Sequence, residues 1–491
     1  MMHVHLLHRD RDFNLNVKPS WGYENLREDL TLGRIIDSLS DGDEVVTSVF
    51  RCIFSSPLRR ADDIVYRQES LKDAMANPET VEELYALCKE TEEKGKAYWN
   101  WFSSTSISCT FSTALGLLEM YLSMLEKVRS VAVRVASCFH SEGFRTFFDT
   151  FEKELSDASL KEMRRLLALL RDPSGLLISA EVGSGMEGVS YVLREKSEKG
   201  NRLRWRFAPS LPIAERDDRG AKDVEQRKWR ALFDVTGVLS QAAENLEHFF
   251  RQLRQELAFF KGCLQLKRIL ETCHMPVTIP NVDENNSNKY SLKGMYDVSL
   301  VVLHHDAVVA NDVEFDGKSL VLVTGANQGG KTTFLKSFSE MQLMASCGMF
   351  VGASSCRIPI RPSMFTHFKR GEDETHASGK LDEELERMSG IVDHLEKGSL
   401  VLMNESFSST NEKEGSRIAK EITSSFLRHG IFVVSVTHLL TYADAFLDDT
   451  RAFFLKAQRL EDGGRTFQML PGIPEKSAYG EDLLSVVKED W

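Results

Sequence analysis

Two stretches in the last third of the chain carry side chains suited to phosphate chemistry. In TGANQGGKTT, Gly325 is followed, after a four-residue gap, by Gly330, Lys331 and Thr332. Glycines at this spacing let a loop close around phosphate oxygens with its N–H groups, and a helix that follows turns its amino end on the same charge. The stretch that would contact nucleotide is Gly325, Ala326, Asn327, Gln328, Gly329, Gly330, Lys331, Thr332 and Thr333. Lys331 would reach the β- and γ-phosphates, and Thr332 would offer its hydroxyl to Mg²⁺. The bland alternative is a glycine-rich turn. The second stretch, SLVLMNESFSSTNEKEG (399–415), climbs through Leu400, Val401, Leu402 and Met403 and stops at Asn404 and Glu405. In a nucleotide hydrolase such a pair is usually Asp-Glu, the Asp holding Mg²⁺ and the Glu orienting water. Here the first of the two is an amide.

That exchange removes a charge beside the metal but keeps an acceptor oxygen. A hydrogen bond to a charged group contributes about 1.5–3 kcal/mol and a neutral one about 0.5–1.5. The difference, about 1 kcal/mol, corresponds to roughly tenfold in metal affinity or rate. The residues therefore predict a working, slow, Mg²⁺-dependent ATPase, with Thr332 and Asn404 at the metal and Glu405 as the catalytic carboxylate. A third apolar run, IFVVSV (431–436), ends at Thr437-His438, which makes His438 a second catalytic candidate in contact with the γ-phosphate or the water. Alone, either residue has a structural reading: Glu405 could cap the next helix, and His438 could be an ordinary structural histidine.

The elements that must position these groups are legible around them. Each run reads as a buried strand, and TGANQGGKTT has a strand before it and a helix after it. In an open α/β sheet, ligands sit beyond the carboxyl ends of the strands, so the three loops should converge. Upstream, residues 46–100 read as short helices, with Pro78 and a Glu-rich turn starting one of them. Residues 111–139 and 143–171 read as two longer helices, and Leu160, Met163, Leu166, Leu167 and Leu170 form one stripe. Gly clusters between β-rich runs at 174–207 predict antiparallel strands, and 224–273 predicts another long helix. Pro276, Pro280 and NVDENNSN (281–288) mark a boundary. The expected division is an N-terminal segment (1–45), a mainly helical domain with a β excursion (46–288) and an α/β P-loop NTPase domain (289–491).

Composition bounds the rest. The chain has 491 residues, 42% hydrophobic and 27% charged, as in ordinary globular proteins. No unbroken apolar run approaches the roughly 18 residues of a membrane span, and the charged start argues against a signal peptide, so a cytoplasmic protein without membrane association is expected. Eight cysteines without CxxC pairing predict reduced, mostly buried thiols and no structural zinc. A net charge of −12 argues against a uniformly basic nucleic-acid binder. One segment departs from that average: residues 194–230 hold twelve Lys or Arg against seven acids. Arg194, Lys196, Lys199, Arg202, Arg204 and Arg206, interleaved with Tyr191, Trp205 and Phe207, form a candidate DNA-contacting tip. A solvated hairpin accounts for the same residues equally well.

TGANQGGKTTFL, FTHFKRGEDETHASG, SLVLMNESFSSTNEKEG and VVSVTH, in this order, resemble the ATPase domain of the MutS family of DNA mismatch repair proteins. Thr410 and Gly415 match the Thr and Gly that follow the family's Asp-Glu pair, and GIPEKSAYGEDLL is similar to its Ser-Tyr-Gly region, with Ala478 inserted. The resemblance is strong from about residue 296 and weaker from about 45. It implies an ABC-type ATPase domain on helical lever arms, ATP and Mg²⁺ as cofactors, and a homodimer whose sites are completed in trans by Ser378, Gly379 and Lys380 and by Ser409, Thr410 and Asn411. It implies nucleotide-dependent binding of structured or damaged DNA, in a member without the mismatch-reading and connector domains. The alternative it carries is a mechanical ATPase acting on a non-DNA assembly such as the ribosome. One departure stands out: where the family has Ser-Thr-Phe-Met after Ser-Gly, this chain has Leu381-Asp382-Glu383-Glu384, acids that would repel a phosphate unless Lys380 offsets them.

Overall fold

The computed structural model describes residues 3–99, 107–171, 177–194, 217–283, 288–326, 328–370, 379–460 and 464–474. Asn327, Ser378, Lys196, Lys199, Arg202, Arg204, Arg206 and the Ser477–Tyr479 region lie outside the described residues. Contacts divide the chain into two compact units, Met1–Leu6 with Asn77–Leu257, and Leu7–Ala76 with Ala258–Trp491.

The first unit is helical. Pro78, whose fixed φ suits a first turn, opens the helix Pro78–Trp99, and the helix Ile107–Val135 follows. Beyond it the sequence pattern predicts one helix over 143–171, but the chain forms two, Glu142–Glu154 and Asp157–Leu170. The break falls where Ser156 leaves the helical region and its Oγ accepts the Ser159 N–H at 3.2 Å, a cap that ends one helix and starts the next. Phe139, Phe144, Phe147, Phe148 and Phe151 are buried together, with Phe151 packed on Phe249 of the long helix Asp218–Thr272. By length and composition the stretch Ile107–Cys138 could cross a membrane, although half of its most apolar window is buried in the fold. Polar residues interrupt it, so its hydropathy is high only as an average and no unbroken run announces it. Strands β1 (Leu177–Val182) and β2 (Gly188–Arg194) pair antiparallel, as the Gly-punctuated sequence predicts.

The second unit holds two sheets. In chain order its strands are β3 (Asn281–Asp283), β4 (Tyr290–Met295), β5 (Asn311–Phe315), β6 (Leu320–Thr324), β7 (Ser355–Pro359), β8 (Met364–Phe368), β9 (Leu400–Asn404), β10 (Phe432–Val436), β11 (Ala452–Arg459) and β12 (Arg465–Pro471). The larger sheet runs β12-β11-β6-β10-β9-β8, parallel except for the edge strand β12; the smaller runs β3-β7-β4-β5. Every residue of β6 and β10 is buried, which explains their continuous apolar runs: a parallel strand covered on both faces has no polar side to alternate. Val401, Met403, Val433 and Leu322 pack with Phe426, Leu427 and Tyr442 of the following helices into one core. Residues 7–76 belong to this unit through distant contacts. The buried Arg67 donates to the Leu7 carbonyl at 3.4 Å and to that of Cys347 at 3.0 Å. All eight cysteines are free and six are buried.

Candidate nucleotide site

The order of the large sheet brings the chemistry together. β10 lies between β6 and β9, with Val436 paired to Val323 on one side and to Asn404 on the other. The three strands therefore end level, and the loops that leave them start side by side. The Thr437 N–H donates to the Val323 carbonyl at 3.1 Å and the Glu405 N–H to the Val436 carbonyl at 2.9 Å, so the lattice of backbone bonds reaches into the loops themselves.

Beyond β6 the chain turns at Gly325, with φ 123°, and a Cβ there would stand 3.0 Å from the Ala457 N and Cβ atoms of β11. Only glycine fits both the backbone and the space. Gln328 also has positive φ, and its side-chain oxygen accepts from Arg465 Nη1 at 2.6 Å, tying the loop to β12. The helix Lys331–Ser346 begins directly after Gly330. Lys331 is 5% exposed and bends back, its Nζ donating to the carbonyls of Gly325 at 2.8 Å and Ala326 at 3.1 Å. Burial lowers its pKa, while the charge of Glu405 acts in the opposite sense. The ammonium is thus held inside the loop, on weak partners that a phosphate's oxygens would outbid. Thr332 is exposed, and its Oγ1 donates to Asn404 Oδ1 at 3.2 Å. A hydroxyl and an amide oxygen are hard neutral donors, the kind Mg²⁺ accepts while keeping much of its water. The pair fits that ion.

Glu405 adopts φ 53°, unusual outside glycine, and so aims its carboxylate off the strand axis. One of its oxygens takes a short bond from His438 Nδ1 and a longer one, 3.3 Å, from the His438 N–H. This contact raises the histidine's pKa, opposed by partial burial and by Lys369 and Lys331. His438, expected as a direct contact to phosphate or water, instead lies on the Glu405 carboxylate. The trans candidates of the loop 409–411 are engaged within the chain. Asn411 caps the helix Glu412–Arg428 by accepting the Glu414 N–H at 3.0 Å, and Thr410 Oγ1 donates to Glu414 at 2.6 Å. Ser409 donates to Glu384, and Gly379 and Lys380 are exposed at the start of the helix Lys380–Val392. Arg194 ends β2 in the other unit, with its Nε on Ser179 Oγ at 2.9 Å.

Several participants escaped the sequence reading. Glu384 is buried on the face shared by Leu381, Met388 and Ile391, and an acid inside an apolar stripe at spacings of three and four was a readable sign of a buried partner. Gly415 is matched to the family by sequence alone, and the fold supplies its reason. A Cβ there would run into the Phe407 carbonyl, so the helix Glu412–Arg428 approaches the loop after Glu405 only through glycine. Ala457, Arg465 and Phe467, which back the phosphate loop, come from β11 and β12 and carry no local signal.

The strand-end geometry and the loop sequence coincide with two family models. Residues 59–273 match the MutS2 N-terminal domain, and residues 321–480 match MutS domain V. The chain belongs to the MutS family. It is 29% identical over 185 residues to the DNA mismatch repair protein MutS of Thermus thermophilus, a match covering 37% of this chain and 22% of that protein. It is 27% identical over 215 residues to Endonuclease MutS2 of Leuconostoc citreum, covering 41% and 26%. With MutS protein homolog 4 of Homo sapiens the identity is 25% over 182 residues, covering 35% and 19%. The matches thus span about a fifth to a quarter of the length of these MutS relatives. MutS domain V is a P-loop ATPase domain, in keeping with the parallel sheet and its phosphate loop.

Proposed function

We propose that this chain binds and slowly hydrolyses ATP with Mg²⁺ at the ends of β6, β9 and β10, and that nucleotide state governs its binding to structured or damaged DNA. The observation that carries the reading is the convergence of Lys331, the Thr332–Asn404 pair and the Glu405–His438 pair at adjacent strand ends. In this scheme the loop N–H groups hold the phosphates, and Lys331 leaves its two carbonyls to neutralise charge on the transferred group. Thr332 and Asn404 would hold Mg²⁺, which when bound would supply charge neutralisation to the nucleotide's phosphates. Glu405 orients a water for in-line attack and takes its proton, and His438 holds that carboxylate in place. Two copies would complete each other's sites through Ser378, Gly379 and Lys380 and the loop 409–411. The Ser409 hydroxyl stays on Glu384, so at that position the contact to the partner's nucleotide would fall to the backbone N–H. The DNA half of the proposal is supported by the names of the matched relatives, among them the DNA mismatch repair protein MutS of Thermus thermophilus.

The test is turnover and retained nucleotide in two variants. Lys331→Ala should lose nucleotide binding or hydrolysis, and Glu405→Gln should hold ATP without turning it over and sediment as a dimer. Wild-type turnover in Glu405→Gln would remove this carboxylate from catalysis. DNA and ribosome binding are then compared in the Glu405→Gln protein with and without ATP. ATP-dependent binding to ribosomes and none to branched or mismatched DNA would overturn the DNA assignment.

A further inference from the structure

Directly after Glu405 the backbone passes through two left-handed residues, Glu405 at φ 53° and Phe407 at φ 60°, neither of them glycine. Each such residue carries strain of about 1–3 kcal/mol and persists only where its surroundings dictate it. Here the surroundings come from one helix and one strand. Glu384, 5% exposed, accepts the Phe407 N–H with one carboxylate oxygen and the Ser409 hydroxyl with the other, both in short bonds. Its own backbone carbonyl lies 2.9 Å from His367 Nε2, while His367 Nδ1 lies 2.7 Å from Ser406 Oγ. A carbonyl only accepts, so Nε2 carries the proton. Burial and Arg387 lower the His367 pKa to about 4, which makes the ring neutral, and the Ser406 hydroxyl, which donates to the His367 carbonyl at 2.8 Å, also lies against Nδ1. The His367 ring also stacks on that of Phe407, which is fully buried, at 5.2 Å.

We infer that Glu384 is a positioning residue for hydrolysis: it clamps the loop 406–409 through Phe407 and Ser409 and so fixes the aim of Glu405. The inference rests on the ATPase reading above and deepens it. The clamp sits on the second turn of the helix that starts at Gly379 and Lys380, so the helix proposed to meet a partner's nucleotide is bonded to the loop that orients the water. It also gives the Leu-Asp-Glu-Glu sequence a purpose other than repelling phosphate. Of its three acids, the one on the apolar stripe turns inward to donors that need it.

The experiment compares wild type, Glu384→Ala, Glu384→Gln and Ser409→Ala in steady-state ATPase assays, in equilibrium binding of a fluorescent ATP analogue, and in amide hydrogen exchange of the segment 405–410 without nucleotide. Glu384→Ala should exchange faster in that segment and lose about ten- to a hundredfold in kcat, as expected for a catalytic group out of aim by about an ångström. Its affinity for the analogue should stay within about threefold, because the phosphate loop is untouched. Glu384→Gln keeps an acceptor for the Phe407 N–H and can donate to Ser409, so it should recover most of the turnover. Should Glu384→Ala fail to fold, Ser409→Ala removes one arm of the clamp with little change in volume and should show the same split to a lesser degree. Equal losses of binding and turnover would make Glu384 a merely structural acid and overturn the inference. So would unchanged kcat in Glu384→Ala while wild type hydrolyses ATP, which leaves the ATPase reading standing. A wild type that neither binds nor hydrolyses ATP would remove that reading and this one with it, even if exchange in 405–410 shows the clamp to exist.

Discussion

Replacing Asn404 by Asp restores the usual acid and asks how much the amide costs. In the fold Asn404 Oδ1 accepts from Thr332 Oγ1 at 3.2 Å, and among the described residues its Nδ2 makes no recorded hydrogen bond. The substitution therefore swaps a neutral acceptor for a charged one without breaking a second contact. A charge-assisted bond is stronger than a neutral one by about 1 kcal/mol, and the added charge also favours Mg²⁺. Opposing this, the new carboxylate stands next in sequence to Glu405, and like charges at neighbouring positions disfavour each other's ionisation. The net expectation is about a five- to tenfold gain, read either as a lower Mg²⁺ concentration for half-maximal activity or as a higher kcat. The assay is ATP turnover across a Mg²⁺ titration for wild type, Asn404→Asp, Thr332→Val and the double variant. In the double-mutant cycle the benefit of Asp should shrink when the Thr332 hydroxyl is gone, because the two side chains act as one unit. An inactive Asn404→Asp would refute the reasoning, since it would mean that the site has been rebuilt around the amide's N–H₂. So would a gain that is fully retained in the Thr332→Val background.

Three further outcomes follow from the same geometry. Gly415→Ala should push the Phe407 carbonyl and with it the loop behind Glu405, reducing turnover by about a hundredfold with nucleotide affinity retained; wild-type turnover in the purified variant would show that the loop yields at no cost. Because Glu405 raises the pKa of His438 above its usual 6.5, the protonated pair stabilises the fold most fully below the unfolded value and loses that contribution as pH climbs through the folded one. Activity should follow the opposite course, rising with pH as Glu405 loses a charged partner, and His438→Ala should abolish or displace that rise in kcat. Replacing Arg202, Arg204 and Arg206 together by Ala should flatten the salt dependence of DNA binding by about two to three units of slope and leave ATP binding intact; an unchanged slope would make the basic segment an ordinary solvated one.

How much of this was legible in the sequence depends on the range of the interactions that built it. The phosphate loop, the three strand ends and the Asn404-Glu405 pair were readable, because each is set within about ten consecutive residues by backbone geometry and burial. A parallel strand covered on both faces reads as a near-continuous apolar run, and Leu320–Thr324 and Phe432–Val436 do so with one buried hydroxyl residue each. The helix break at Ser156 was locally encoded too, since Ser156 and Ser159 form a cap. What escaped was long-range. Nothing near Arg67 announces its bond to the Cys347 carbonyl, so the affinity of residues 7–76 for the sheet-bearing unit left no trace in local pattern. Pro276, Pro280 and the polar run at 281–288 marked a change of composition, whereas the contacts change unit at 76/77 and 257/258.

The case of Glu384 shows where such reading can be pushed further. Four residues that break a family pattern look like loss of function when each is weighed against the side chain it replaced. Set on the helix they form, they separate at once: Leu381 and Glu384 share the buried face with Met388 and Ile391, while Asp382 and Glu383 lie off it. A buried carboxylate is costly unless donors meet it, so its partners had to exist, and they had to be groups with no other means of satisfaction. The Phe407 N–H, held in a left-handed turn outside any helix or strand, is such a group. The same arithmetic applies to Asn404 and Thr332, where a lost charge is tolerable because a hydroxyl still finds its acceptor. In both places the departure from the family is absorbed by a hydrogen bond that the fold makes available. The chemistry of the site is then set less by the identity of the motif residues than by whether every polar group around Glu405 is met.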